Sequence, residues 1–132
     1  MNAMSKDIVA ILEDESSLGL IFATNLFTGR EVTSPSNCVT IFDTTSTPPQ
    51  LTLDTQGYEY PSVQIRVRNT SYQTAWALIE SIKAVLHGLS QKTIGSTLYS
   101  VIYCASGPAL LDWDDNSRAR VIVNISAARR IT

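Results

Sequence analysis

The chain has 132 residues, a hydrophobic fraction of 44%, a charged fraction of 17% and a formal net charge of −2. This length suits one domain with its own core, and the composition excludes a chain that is disordered throughout. The weak net charge excludes the strongly basic character of many nucleic-acid-binding proteins, and a charged content below the ~25% of an average domain indicates that some surface contacts other protein.

The first half of the chain predicts one helix and one strand. Residues 1–4 are expected to be a cloning remnant or a disordered start, and a single α+β domain is expected over residues 5–132. Ser5 is the predicted cap of a short first helix. A strand is predicted over residues 37–42, where Cys38, Thr40 and Phe42 alternate with Val39 and Ile41. Residues 43–60 are rich in threonine and contain two adjacent prolines, so they predict a long mobile loop.

The second half predicts a long helix between strands. Residues 62–68 alternate clearly and predict a strand, and a helix with apolar residues at spacings of three and four follows to about residue 89. Residues 98–105 and 118–126 predict two more strands, with a loop over residues 107–117. This order of helix, strand, strand, helix, strand, strand predicts an α+β fold with one four-stranded sheet and both helices on one face. The predicted core is Val63, Ile65, Val67, Ile79, Ile82, Leu86, Val121 and Val123.

The sequence offers no set of residues for catalysis. His87 is the only histidine and falls on the polar side of the long helix. Cys38 and Cys104 form no CxxC or Cys/His ligand pattern, so they are expected to be buried free thiols in a reducing compartment. We therefore predict no catalytic residue, no cofactor and no metal, and a protein that is not an enzyme.

Residues 112–116 resemble the start of a calcium-binding loop. The pattern lacks the glycine at its sixth position, where Ser117 stands, and the acid at its twelfth, where Val123 stands. The segment therefore predicts an acidic, solvated loop that exposes Trp113.

Four arginines occur in pairs at strand spacing, which places each pair on one face of a sheet: Arg66, Arg68, Arg118 and Arg120. Such a stripe can bind nucleic acid, but no aromatic residues alternate with it as stacking platforms. The pattern favours a polar sheet face or a contact between subunits.

The charges divide unevenly between the two parts of the chain. Residues 1–60 carry two bases against eight acids, a net charge of −6, and residues 61–132 carry eight bases against four acids, a net charge of +4. This asymmetry has two interpretations. It could hold identical subunits head to tail, or it could be an unevenly charged surface in solvent.

Neither a membrane span nor a secretion signal is predicted. The sequence has no run of about 18 apolar residues, and its beginning lacks a charged region followed by an apolar stretch. We therefore expect no membrane partner.

One stretch of the sequence resembles a known family. A proline, an alternating strand, a tyrosine that opens a helix and a Leu-x-Gly-Leu-like end are carried by Pro61, Val63, Gln64, Ile65, Val67, Arg68, Tyr72, Leu86, Gly88 and Leu89. Residues 25–29, Pro35, residues 38–44 and the Pro48-Pro49 pair fit the same pattern. The chain is similar in these features to the minor capsid and tail terminator proteins of tailed phages.

The resemblance implies a structural virion protein that is assembled in the cytoplasm of a bacterial host. Such a protein forms a ring, usually of six subunits, on the completed tail tube, where it ends tube polymerisation and offers a surface to the head. Its implied partners are itself, the tail tube protein and a head-completion or connector protein, with no sequence-specific nucleic acid. The alternative is a small α+β module that binds RNA or a peptide through its sheet face.

The family has no fixed site residues to transfer, so the candidate interface between subunits comes from charge and exposure. Its acidic side is predicted at Glu13, Asp14 and Glu15, and its basic side at Arg118 and Arg120. Tyr58 and Trp113 are the predicted apolar contacts, because large aromatic side chains supply most of the affinity at protein interfaces.

Overall fold

The computed structural model describes residues 1–50 and 57–130, and it describes the side chains of all these except residues 46–50. The helices are α1 (Met4–Asp14) and α2 (Tyr72–Leu86), with a 3-10 turn at Ser16–Leu18. The strands are β1 (Leu26–Thr28), β2 (Cys38–Gln50), β3 (Tyr58–Asn69), β4 (Leu89–Ile94), β5 (Thr97–Trp113) and β6 (Ala119–Arg130). They form one sheet in the order β1-β2-β3-β6-β5-β4, in which only the β1–β2 pair is parallel.

The fold is α+β as predicted, but the sheet has six strands rather than four. Both helices pack on one face, as expected: α1 contacts β1, β2 and β3, α2 contacts β3, β5 and β6, and the two helices contact each other. Every residue of the predicted core has 0% exposure, so that prediction is confirmed. Side chains alternate along these strands, so apolar residues of the sheet pack against the helices. The opposite side of the sheet, here called the second face, is mainly polar.

Helix α1 begins earlier than the sequence suggested. Met4 lies inside the helix and is 1% exposed, so it belongs to the core rather than to a disordered start. Ser5 lies inside the helix and is not its N-cap residue. Its backbone N–H and its Oγ donate to the carboxylate of Asp43 at 3.1 and 2.6 Å, which attaches the first turn of α1 to β2.

The predicted loop over residues 43–60 is largely strand. Residues 43–50 continue β2 and residues 58–60 begin β3, with register shifts on either side of Thr47. Threonine is a good strand residue, and irregular register lets prolines lie in an edge region. Residues 51–56 of the expected mobile loop lie outside the described residues.

Helix α2 begins as the sequence predicts and ends three residues early. The Ser71 Oγ accepts a hydrogen bond from the backbone N–H of Thr74 at 3.3 Å, an ordinary N-cap. After Leu86 the chain turns through Gly88, whose φ of +90° favours glycine, and enters β4. Strand β4 lies at the edge of the sheet, and four of its six residues are polar. The sequence did not predict it because so few apolar residues show no periodicity.

Strand β5 extends eight residues beyond its predicted end at residue 105. Its register against β6 shifts at several points, including between Ser106 and Ala109, and these bulges interrupt the alternation of the sequence. Gly107 lies at one bulge with a φ of +92°, and a Cβ there would come within 3.0 Å of the carbonyl oxygen of Ile122. The loop predicted over residues 107–117 is therefore only the short turn from Asp114 to Arg118.

Replacing Leu86 with alanine should lower the free energy of unfolding by about 2–5 kcal/mol, because Leu86 has 0% exposure and its loss leaves a cavity between α2 and the sheet. Urea titration followed by circular dichroism measures the change. Val85→Ala, on the half-buried neighbouring position, is the control and should cost clearly less. Equal losses for both variants would contradict the assignment of the buried face of α2.

Candidate assembly surface

A cluster of charged side chains covers one end of the second face of the sheet. Glu31, from the β1–β2 connection, accepts a hydrogen bond from Arg120 Nη1 at 2.9 Å. Its carboxylate also lies 3.5 Å from Arg68 Nη1 and 3.7 Å from Arg66 Nη1. Asp112 completes the set with a two-point contact to Arg120, at 2.6 and 2.8 Å. The hydrogen bond from Arg120 to Asp112, followed by the contact with Glu31, raises the pKa of the Arg120 guanidinium. One acid of the first half therefore neutralises arginines of the second half within the same chain.

The same connection is tied to the sheet through its backbone. Arg68 has 2% exposure and donates to the carbonyl oxygens of Pro35 and Ser36 at 2.7 and 3.1 Å. Arg118 donates to the carbonyl of Thr33 at 2.8 Å. Each guanidinium thereby gives carbonyl groups of this connection a hydrogen-bond donor. Residues 29–37 are thus fixed over the arginine stripe.

The acidic turn after β5 is closed by an arginine. Asp114 accepts hydrogen bonds from the backbone of Asn116 and from the backbone and side chain of Arg118, the last at 2.7 Å. Burial would raise the pKa of Asp114, but these hydrogen bonds lower it below its usual value. In the described part of the chain, no group of three or more His, Cys, Asp and Glu side chains could hold a metal ion.

A second buried cluster joins α1 to the last strand. Arg129 donates to Tyr99 Oη at 3.0 Å, to the carbonyl of Asn2 at 3.0 Å, and to the carboxylate of Glu59. Tyr99 in turn donates to Asp7 Oδ2 at 2.6 Å. Burial, together with this hydrogen bond, raises the pKa of Tyr99 and keeps its hydroxyl protonated as a donor. The sequence indicated no role for Arg129, because the residues that it contacts lie far from it along the chain: Asn2, Asp7, Glu59 and Tyr99.

These two clusters account for much of the charge asymmetry between the two parts of the sequence. Glu31 and Glu59 from the first part each contact arginines of the second part inside one chain. The arginines predicted for the basic side of a subunit interface are therefore engaged internally. Arg118 has 6% exposure, and the side chain of Arg120 is 22% exposed. Their contact with a neighbouring subunit stays a prediction.

The other predicted interface residues lie at separate places. The three acids Glu13, Asp14 and Glu15 stand where α1 ends, and Glu13 accepts a hydrogen bond from the backbone N–H of Phe22 at 3.0 Å. Tyr58 begins β3 opposite Arg130, and hydrogen bonds with Ser100 and Arg130 lower its pKa. Trp113 lies at the far end of the sheet, where it pairs with Ala119. The structure does not bring these residues into one surface.

Strand β5 provides an open edge of the sheet. Strand β4 pairs with it only as far as Ile102, and the backbone N–H of Cys104 donates to His87 Nδ1 at 2.9 Å. Beyond that point no described strand pairs with its outer side. Leu110, Leu111 and Trp113, here called the edge patch, are 44%, 41% and 51% exposed. Trp113 also stacks on Tyr72 of α2, with ring centroids 6.4 Å apart.

A groove lies near the opposite edge of the sheet, between the outer side of α1 and the chain around β1. It has a volume of about 510 Å³ and an apolar lining that includes Val9, Ala10 and Phe22, with Lys6 and Glu13 among its polar residues. Phe22 is 48% exposed and its neighbour Ile21 is 57% exposed. This region is here called the α1 groove. Its polar lining offers neither a nucleophile with a base nor a set of metal ligands.

The remaining candidates for chemistry are separated or occupied. His87 is exposed and its Nδ1 is an acceptor for the Cys104 amide, so it stabilises the contact between α2 and β5. Both cysteines are free thiols, and burial raises the pKa of Cys38. Cys104 is half-buried rather than fully buried. Among the described helices, none has the length and hydropathy needed to cross a membrane.

This architecture, with two helices on one face of a six-stranded mixed sheet, occurs in a virion component. A chain from a solved structure described as the virion of a native gene transfer agent (GTA) particle has the same fold. The TM-score is 0.69 at 12% sequence identity, and the match covers 98% of this chain and 96% of that chain.

The sequence matches the model of the family described as bacteriophage tail terminator protein over residues 4–131, and the chain belongs to that family. The predicted resemblance to tail terminators is thereby confirmed. The chain is a structural, tail-associated protein of phage type. Comparison with curated proteins gave no match.

Proposed function

We propose that this protein caps the tail tube as a ring of six subunits, ends tube polymerisation and offers a surface for joining the head. Its membership of the tail terminator family carries the proposal. Its partners are then further copies of itself, the tail tube protein and a head-completion or connector protein. Assembly takes place in the cytoplasm of a bacterial host, and the protein stays in the finished virion.

The distribution of exposed apolar residues supports an assembling protein. Of the seven large apolar side chains exposed in the described residues, five lie in the edge patch or beside the α1 groove. A ring requires two different surfaces on every subunit, one for each neighbour. The two regions lie near opposite edges of the sheet, which is the arrangement that such a ring needs.

The alternative function, binding of RNA or a peptide by the sheet face, is less well supported. Arg66, Arg68 and Arg120, which would attract phosphate, are paired with Glu31 and Asp112, and residues 29–37 lie over one end of that face. A stripe whose charge is largely compensated and that lacks stacking aromatics gives little attraction for a nucleic acid.

The proposed function predicts an arrest of tube growth. Purified protein should be added to cognate tail tube subunits while they polymerise from a preformed initiator, and tube lengths should be measured by negative-stain electron microscopy. Tubes should stop growing after the addition and carry the protein at one end only. Tubes that grow on with the same length distribution, and that carry no bound protein, would contradict the function. Heat-unfolded protein is the control for non-specific effects.

A further inference from the structure

We infer that the edge patch of one subunit binds in the α1 groove of a second copy of this chain, and that this head-to-tail contact joins neighbours in the ring. The inference rests on the proposed ring and identifies the surface that forms it. Its occupant is a second copy because the groove and the patch occur on the same chain at opposite sides of the sheet.

The apolar character of both surfaces supports the contact. Leu110, Leu111 and Trp113 lie within four consecutive positions next to the turn that ends β5, and all three are exposed. The α1 groove offers Val9, Ala10 and the ring of Phe22. Aromatic residues at the centre of an interface, held in a pocket that excludes water, supply most of the binding energy.

Charge complementarity supports the same pairing. Lys6 lines the α1 groove and Asp115 follows the edge patch, and both are exposed. Neither forms an ion pair with any of the residues that the structure describes, whereas Asp114 and Arg118, beside Asp115, are paired with each other. In the proposed contact, Asp115 of one subunit pairs with Lys6 of the next. Opposite charges at a rim fix the register of two subunits and increase the rate of association.

The orientation of this contact distinguishes it from a symmetric dimer. Patch and groove are different surfaces, so the contact leaves one free patch and one free groove on every dimer. Further copies can add until the chain of subunits closes into a ring. A symmetric contact of patch against patch would stop at two subunits.

Two variants that each destroy one half of the contact test the inference. Phe22→Asp changes the groove and Trp113→Asp changes the patch, and both side chains are about half exposed and lie outside the buried core. Sedimentation velocity at protein concentrations up to about 1 mM, the range in which weak contacts become populated, gives the masses. The parent should form species larger than dimers, each variant alone should stay monomeric, and an equimolar mixture should form a species of twice the mass of one chain.

The mixture recovers a dimer because each variant retains the half that the other has lost. Tyr103→Asp is the matched control: Tyr103 is an exposed apolar residue on the same strand, outside the edge patch, and its variant should assemble like the parent. A charge exchange gives an independent check. Lys6→Glu should weaken association, and adding Asp115→Lys should restore most of it.

Each other result overturns the inference. A parent that stays monomeric at about 1 mM has no such contact. A Phe22→Asp variant that still dimerises by itself indicates a symmetric contact through the patch. Assembly that both variants retain places the interface elsewhere. Failure of the proposed function gives a different result. If the parent self-associates through patch and groove but never binds tail tubes, the contact is upheld and the capping function is wrong. If both variants cap tubes as well as the parent does, the capping function is upheld and the contact is wrong.

Discussion

Replacing Arg129 with methionine should lower the free energy of unfolding by about 3–5 kcal/mol. The side chain of Arg129 is 9% exposed and lies against Asp7, whose side chain is 3% exposed, with 3.8 Å between Nη1 and Oδ2. Methionine retains most of the apolar stem but removes the charge and every donor. Tyr99 Oη, the Asn2 carbonyl and the Glu59 carboxylate then lose a hydrogen-bond donor at once.

The measurement is chemical denaturation of parent and variant under identical conditions. Arg130→Met is the matched control, because the adjacent arginine is exposed and the same change there should cost well under 1 kcal/mol. The Arg129 variant should also exchange the amide protons of α1 faster than the parent, since Arg129 holds the chain before this helix. A loss below about 1 kcal/mol, with unchanged exchange in α1, would show that the cluster contributes little.

Replacing Glu31 with glutamine should cost about 3 kcal/mol. The change keeps the shape of the side chain but removes the negative charge shared by Arg66, Arg68 and Arg120, and the Glu31 side chain is 15% exposed. Three positive side chains then repel one another on a partly buried face, with Asp112 in contact with only one of them. Residues 29–37 should become more mobile as a result.

Thermal denaturation at low and high salt tests this prediction. The penalty of Glu31→Gln should become smaller at high ionic strength, because salt screens the repulsion among the arginines. Glu80→Gln is the control, since Glu80 forms an exposed pair with Lys83 on α2 and its loss should cost at most about 1 kcal/mol. A double-mutant cycle with Arg120→Gln isolates the strongest of the three contacts. A penalty equal to that of Glu80→Gln would contradict a buried role for Glu31.

Regular alternation made the central part of the fold predictable. Val63, Ile65 and Val67 alternate with polar residues in a strand that pairs on both sides, so pattern and burial agree. The long helix was equally readable because its apolar spacing follows the helical repeat. The two strands that the sequence did not reveal, β1 and β4, are short. Strand β1 has only three residues, and β4 is an edge whose exposed polar positions leave little apolar periodicity.

The assembly surface was predictable only in part. Trp113 was identified as an exposed aromatic residue, and the structure places it in the edge patch. Arg118 and Arg120 were predicted to form the basic side of a subunit interface, because a sequence does not show which acids lie beside them in the fold. One partner of Arg120 is Glu31, 89 residues away, and the two meet only because the β1–β2 connection crosses the sheet. The α1 groove depends on the packing of α1 beside β1, which no local pattern reports.

The position of β6 has a consequence for how the protein is made. Strand β6 is synthesised after the five other strands, yet it lies between β3 and β5 in the sheet. On the ribosome, β2 and β3 can pair as a hairpin and so can β4 and β5, but the two hairpins stay separate until β6 emerges and joins them. Contacts between distant parts of a chain form slowly. In a nascent chain the edge patch, on one hairpin, and the α1 groove, beside the other, therefore reach their final relation only after β6 has joined the two hairpins.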